Sequence, residues 1–446
     1  MALRPWIAAL IFCLLPPLAA RADPAAATLA AAERAAASGQ AETAIALLEP
    51  LRPGTEADEI RRLRALAFAY GRQGRPRAAI APLERLVALR PQEVRYRLEL
   101  AAALAQAGQD DRARYHFELS RGAGLPPDVL GQVQARIDTL DRRKNWEGHF
   151  RFAIVPESNA ARRTAAERVT VGGWVLGIRP AAREQPANGV ELGFGLAALP
   201  RLGQDLRGRL GFSVQGRFFD SRAPDDMSLR VEAGLLRFAD QGQRVTAEVF
   251  ATRRWLNDKQ LMLTPAGQIV RTPTLYSTGT GVSASYARDI GARSTFWGQL
   301  LTERLDYGAQ RGEQQRTALS LQFTHMATAR LHLRFGARIE DRSSDRPWLS
   351  GTGAGVNIGG QYLFDGGLRL GLDLLLDAND HEGLHPLFGV ERRDRRMMVQ
   401  AELTNQNWSW RGFAPVLRLN WERQKSTVVL NRYRNLGASV GLTTRF

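Results

Sequence analysis

Leu436-Gly437-Ala438-Ser439-Val440-Gly441-Leu442-Thr443-Thr444-Arg445-Phe446 closes the chain, and its alternation decides the fold. Leu436, Ala438, Val440, Leu442, Thr444 and Phe446 fall on one face of an extended strand. Gly437, Ser439, Gly441, Thr443 and Arg445 fall on the other. Successive side chains of a strand point to opposite sides, so one face is apolar and the other polar. A wall between lipid and water demands that pattern, and a final Phe is how the last strand of an outer-membrane β-barrel reads.

The same period runs back to about residue 147. Leu331, Leu333, Phe335, Ala337 and Ile339 oppose Arg330, His332, Arg334, Gly336, Arg338 and Glu340. Leu368, Leu370, Leu372, Leu374 and Leu376 oppose Arg369, Gly371, Asp373 and Asp377, and 207–218 follows the same design. The pattern predicts fourteen strands near 147–156, 188–200, 206–220, 227–238, 243–256, 274–288, 293–306, 315–326, 329–341, 352–364, 367–379, 393–405, 412–424 and 434–446. Short and long connections alternate, as periplasmic turns and outer loops do. Residues 168–178 are placed in the first outer loop. Arg330, His332, Arg334 and Arg338 are expected to face the lumen, because charge at the bilayer midplane costs about 2–4 kcal/mol per residue.

The front of the chain has another character. Arg4, the apolar run Trp6–Leu18 and Ala20-Arg21-Ala22 outline a signal peptide over 1–22, with cleavage before Asp23. The one cysteine, Cys13, lies inside it, so a mature chain would hold no disulfide, cluster or thiol nucleophile. Residues 23–144 read as a helical repeat. Gly39-Gln40, Gly74-Arg75 and Gly108-Gln109 recur at the period of tetratricopeptide repeats, each with an alanine five residues after its glycine. Leu66, Ala67, Tyr70, Ala79, Leu83 and Leu86 fit the middle unit. Such arrays hold a peptide or protein in a groove and do no chemistry. Arg64, Phe68 and Arg95, on the first helices of their pairs, are the candidate groove residues. The expectation is therefore multidomain: an all-α tetratricopeptide solenoid over 23–144 and a fourteen-stranded antiparallel transmembrane β-barrel over 145–446.

Net charge is +16, carried almost wholly by arginine, since Lys144, Lys259 and Lys425 are the only lysines. For an exported chain this points to a barrel lumen or to loops facing anionic lipid, and nucleic acid is not expected as a partner. Three motifs resemble catalytic ones. His381-Glu382-Gly383-Leu384-His385 matches a zinc-protease motif, but that chemistry needs a helix, and Gly383 and Pro386 speak against one. Gly437-Ala438-Ser439-Val440-Gly441 matches a nucleophile elbow, which needs a sharp strand-to-helix turn, whereas this segment stays extended. Gly279 and Gly281, and Gly351, Gly353 and Gly355, have the alternate spacing of strand glycines that make room for neighbours. No catalytic residue, metal or cofactor is expected.

Arg114-Tyr115-His116-Phe117 with Leu125-Pro126-Pro127, then Trp146 and Phe152-Ala153-Ile154-Val155-Pro156-Glu157-Ser158-Asn159, resembles the surface lipoprotein assembly modifier family. Glu157 stands where that family has aspartate, and Ala161 where a second asparagine is usual. The resemblance implies periplasmic tetratricopeptide repeats joined to a fourteen-stranded barrel in the Gram-negative outer membrane. It implies lipoprotein or secreted-protein cargo, with a periplasmic chaperone, the barrel-assembly machinery and outer-membrane lipid as partners. Pro156, Ser158 and Asn159 become candidate cargo-handling residues by that resemblance, and Phe446 the candidate assembly signal. A rival of the same architecture is an exopolysaccharide export porin, whose anionic polymer an arginine-rich lumen would steer.

Overall fold

A computed structural model describes residues 24–445 apart from short stretches at 222, 240–241, 258–261, 264–268, 271–273, 309–311, 365–366, 406–407 and 409–412. The expected signal peptide, with Cys13, and the terminal Phe446 lie outside the described residues.

The helical part consists of Pro24–Ala37 (α1), Ala41–Leu48 (α2), Glu56–Arg72 (α3), Pro76–Leu89 (α4), Val94–Gln106 (α5), Asp110–Arg121 (α6) and Pro127–Arg143 (α7). One turn closes α1, α3 and α5 alike. Gly39, Gly74 and Gly108 adopt φ of 86°, 65° and 77°, a region that penalises a side chain. The next N–H in each case reaches back five residues: Gln40 to the Ala35 carbonyl, Arg75 to Tyr70 and Gln109 to Leu104, each at 2.9 Å. These bonds satisfy carbonyls that a helix end leaves open. The alanines five residues after each glycine, Ala44, Ala79 and Ala113, are buried. Small residues there let consecutive helices approach, and α1 packs on α2, α2 on α3, α3 on α4 and α4 on α5.

The strands are Trp146–Glu157 (β1), Ala187–Ala198 (β2), Leu206–Phe219 (β3), Asp225–Phe238 (β4), Arg244–Asn257 (β5), Thr274–Ile290 (β6) and Ser294–Asp306 (β7). They continue with Glu313–Met326 (β8), Leu331–Ser344 (β9), Gly351–Leu363 (β10), Leu368–Leu384 (β11), Glu391–Asn405 (β12), Ala414–Ser426 (β13) and Tyr433–Arg445 (β14). Each pairs antiparallel with its chain neighbour, and β14 returns to β1, so the sheet closes as a barrel of fourteen. Observed ends fall within a few residues of those expected, β11 excepted, which runs five residues further. Residues 168–178 form a small separate hairpin, Arg168–Val171 with Trp174–Gly177, outside the wall. Ile154, Leu192, Val249, Leu300, Ile339, Leu372 and Val440 stand exposed around the outside, the face that lipid covers.

The chain divides into two compact units between Ala113 and Arg114. In the second unit, 114–144 packs on the periplasmic turns. Asp141 of α7 accepts from Arg244 at 2.9 Å, and Arg142 pairs with Asp205. Arg121 donates to the Ala292 carbonyl at 2.7 Å and pairs with Asp289 at 3.6 Å. A Cβ on Gly122 would lie 2.8 Å from the Thr328 carbonyl oxygen. Arg369 sits 5.3 Å from the ring centre of Tyr115. These contacts reach five different turns or strand ends, from β2–β3 round to β10–β11. The segment is therefore a strap across the barrel's inner end, with α7 about 25 Å long.

Candidate functional site

The lumen wall follows from the inner face of each strand. Arg334 pairs with Asp373 at 2.5 Å and Arg338 with Glu340. Arg209 holds Glu248, Glu147 and Glu232 at 2.6, 2.8 and 2.9 Å, and Arg151 holds Glu191 at 2.6 Å. Arg418 pairs with Glu402 and Arg396 with Asp377, both at 2.5 Å. His332 shares the Arg334 face, across the sheet from exposed Phe335 and Ile339. Glycines on β10 make the room. A Cβ at Gly355 would meet Asp377 Oδ1 at 2.4 Å, and one at Gly359 would meet Asp373 Oδ1 at 2.0 Å. The interior is thus a lattice of arginine–carboxylate pairs rather than a bare cationic surface. Most of the partners lie one or two strands away across the wall, so the sequence alone shows the arginines but not what neutralises them.

At the outer end of β1 the chain leaves the sheet and turns inward. Ala160 packs with Ala153, Val155, Ala187, Phe219 and Ala223 in a small buried cluster. Arg162, at φ 50°, reaches Glu422 at 2.9 Å and Glu157 at 3.4 Å. Arg217 adds a 2.6 Å contact to Glu157, and Asn435 Nδ2 donates to the same carboxylate at 3.2 Å. Glu157 and Glu422 are nearly sealed from solvent, and such carboxylates need this many partners.

The next residues complete the closure with backbone and side-chain bonds. The Ser158 N–H donates to the Leu436 carbonyl, and the Leu436 N–H donates to Ser158 Oγ, both at 2.8 Å. The Asn159 N–H donates to Asn435 Oδ1 at 2.9 Å. Asn159 Nδ2 donates to the carbonyls of Arg434 and Arg163 at 2.9 and 2.8 Å, and Asn159 Oδ1 accepts from the Arg163 N–H at 3.0 Å. Asn159 is buried and inward, whereas Pro156 and Ser158 face outward. Arg162, Glu422 and Asn435 were not singled out from the sequence, and Glu157 stood out only as a departure from the family's aspartate. The available signal was a proline breaking a strand pattern, followed by three hydrogen-bonding residues.

The remaining candidates separate. Phe68 is 52 % exposed on α3, one turn from exposed Arg64, while Arg95 at the start of α5 pairs with Glu99 at 2.8 Å. His381 lies in β11, its Nδ1 3.1 Å from the Trp348 carbonyl, and the His385 ring lies against Phe388. Four strand residues span roughly 13 Å, so the two imidazoles are not presented as a helix would present them. Ser439 is buried in β14 with no turn beside it.

A closed fourteen-stranded wall, an outer apolar band and a helical array ahead of it define an outer-membrane β-barrel protein of the Gram-negative cell. The family described as surface lipoprotein assembly modifier matches residues 146–446, and the chain belongs to it. Among relatives, Surface lipoprotein assembly modifier 1 of Neisseria meningitidis serogroup B is 24 % identical over 404 residues, covering 87 % of this chain and 76 % of its own. The Surface lipoprotein assembly modifier of Moraxella catarrhalis is 20 % identical over 375 residues, covering 83 % and 70 %. A solved FadL homologue of Pseudomonas aeruginosa aligns over 72 % of this chain and 94 % of its own, at 12 % identity and a TM-score of 0.41.

Proposed function

We propose that the protein assists the movement of lipoproteins, or of secreted proteins, across the outer membrane to the cell surface. The observation that carries this reading is the family match over the whole barrel, together with relatives named for surface lipoprotein assembly. The barrel supplies the route. The helical array holds cargo, or a chaperone bringing it, through Arg64, Phe68 and Arg95. The barrel-assembly machinery reads the last strand, with Phe446 as its signal. The action is passage rather than a reaction. The cross-strand carboxylates count against the exopolysaccharide alternative, because arginines already paired give an anionic polymer little to bind.

A lumen of this kind is narrower than the open porins of sixteen or more strands. A folded domain of 100 residues has a radius of gyration of roughly 13 Å, so cargo passes at least partly unfolded. The test is to delete the gene and shave intact cells with protease. At least one lipoprotein should move from the accessible to the protected pool and return when the gene is restored. If every lipoprotein stays displayed and a secreted polymer disappears instead, the polysaccharide reading replaces this one.

A further inference from the structure

The β1–β14 ladder is interrupted without a change of register, whereas β5–β6 and β11–β12 shift register at Leu275–Ser277 and Asp380–Leu384. The β1–β14 pairs run from His149↔Arg445 to Ile154↔Val440 and resume only at Glu157↔Gly437. The other edge of β1 pairs without a break from Trp146↔Ala198 to Glu157↔Ala187. The cause is Pro156. The Ser158 N–H points at β14, where it bonds the Leu436 carbonyl. Backbone groups point the same way at every second residue, so the nitrogen of Pro156 faces β14 too and has no hydrogen to give. Beyond the gap, the Ser158–Leu436 backbone bond is joined by side-chain bonds of Ser158, Asn159 and Asn435.

Outside the same gap, Pro156, Leu419, Leu436 and Ala438 line a groove of about 610 Å³, with Asn188 and Asp220 completing it. That volume is in the range of ligand pockets. The groove is mainly apolar, faces the lipid and is continuous with it, with its polar residues toward the outer loops.

We propose that this seam is the binding groove and exit for the acyl chains of lipoprotein cargo, which run along its lipid side while the polypeptide occupies the lumen. The proposal rests on the export reading above. An acyl chain gains free energy with each methylene kept out of water, and a lumen lined by ion pairs offers no such surface. A lipid-anchored chain in transit must therefore straddle the wall, and straddling needs a place where the wall parts. The proline gap weakens the ladder there. The Ser158, Asn159 and Asn435 bonds can release and re-form without unravelling a strand.

The experiment uses the lipoprotein identified by deletion, in two forms: lipidated, and with its acceptor cysteine replaced by serine. Val155 and Ser439 face each other across the gap, set by the pairs on either side. V155C/S439C should close the seam under oxidation and free it under reductant. Locking should abolish display of the lipidated cargo and leave passage of the unlipidated form intact. P156A, which restores the missing N–H, should lower lipidated display several-fold even if the disulfide variant fails to assemble. A photo-crosslinker at Leu436 should capture the labelled acyl chain, and one at Leu372, lipid-exposed on β11, should not. Equal loss of both cargo forms, or equal passage of both, overturns the acyl groove. If the unmodified protein displays neither form, the export reading itself fails.

Discussion

Replacing Asp141 by alanine should loosen the strap across the inner end of the barrel. Its carboxylate is mostly buried and bridges Arg114 at 2.6 Å and Arg244 at 2.9 Å, joining α6, α7 and β5. Exposed ion pairs are worth about 0–1 kcal/mol, and breaking a fully buried one costs about 3–5 kcal/mol. Asp141 retains 13 % exposure and Arg244 31 %, so a value near 2 kcal/mol is about right for this half-buried pair. A shift of that size changes a two-state ratio by about 30-fold. The assay is planar-bilayer conductance of the purified full chain, reading the ratio of open to closed time. D141A should raise that ratio by the stated factor. A charge exchange, D141R with R244D, should recover part of the closure. If D141A gates as the unmodified protein does, while a fluorophore on α7 reports that the helix has left the turns, the strap does not block the mouth. If neither the gating nor the fluorescence changes, Asp141 does not hold it.

Acid should tighten the same strap through Asp138, whose carboxyl is pushed above the usual range by burial and by the charges of Asp141 and Asp289. A raised carboxyl binds its proton sooner when docked, so docking strengthens as pH falls through that docked value. Closed time should rise as the pH is lowered from neutral, and D138N should flatten the response. N159A removes three partly buried side-chain hydrogen bonds, a loss of about 3 kcal/mol at roughly 1 kcal/mol each, so trypsin added to intact cells should cut after Arg162 or Arg163. An unchanged cleavage rate would mean that those bonds do not hold the loop. G441A would place a Cβ 1.9 Å from the Phe152 carbonyl oxygen, so the closing strand must shift, and the heat-modifiable barrel band should weaken on gels.

The wall and the helical array were legible because each is a local property. Leu331, Leu333 and Phe335 alternate with His332 and Arg334 whatever their partners are, and a period of two can satisfy lipid on one side and water on the other in only one way. Gly39, Gly74 and Gly108 likewise reported their turns directly, since a left-handed φ at a helix end selects glycine on backbone grounds alone. Alternation put His332, Arg334 and Arg338 on one face, but the partners that neutralise the arginines were not visible. Asp373 belongs to Arg334 only once β9, β10 and β11 lie in register.

Tertiary structure alone decided the strap and the seam. The strap depends on Asp141 meeting Arg244, and the seam depends on Glu157 and Asn159 meeting Asn435. Those pairs lie a hundred to nearly three hundred positions apart along the chain, and no local propensity links them. Barrel closure brings the first strand to the last, and there the missing N–H of Pro156 becomes a gap in a wall rather than a feature of one strand.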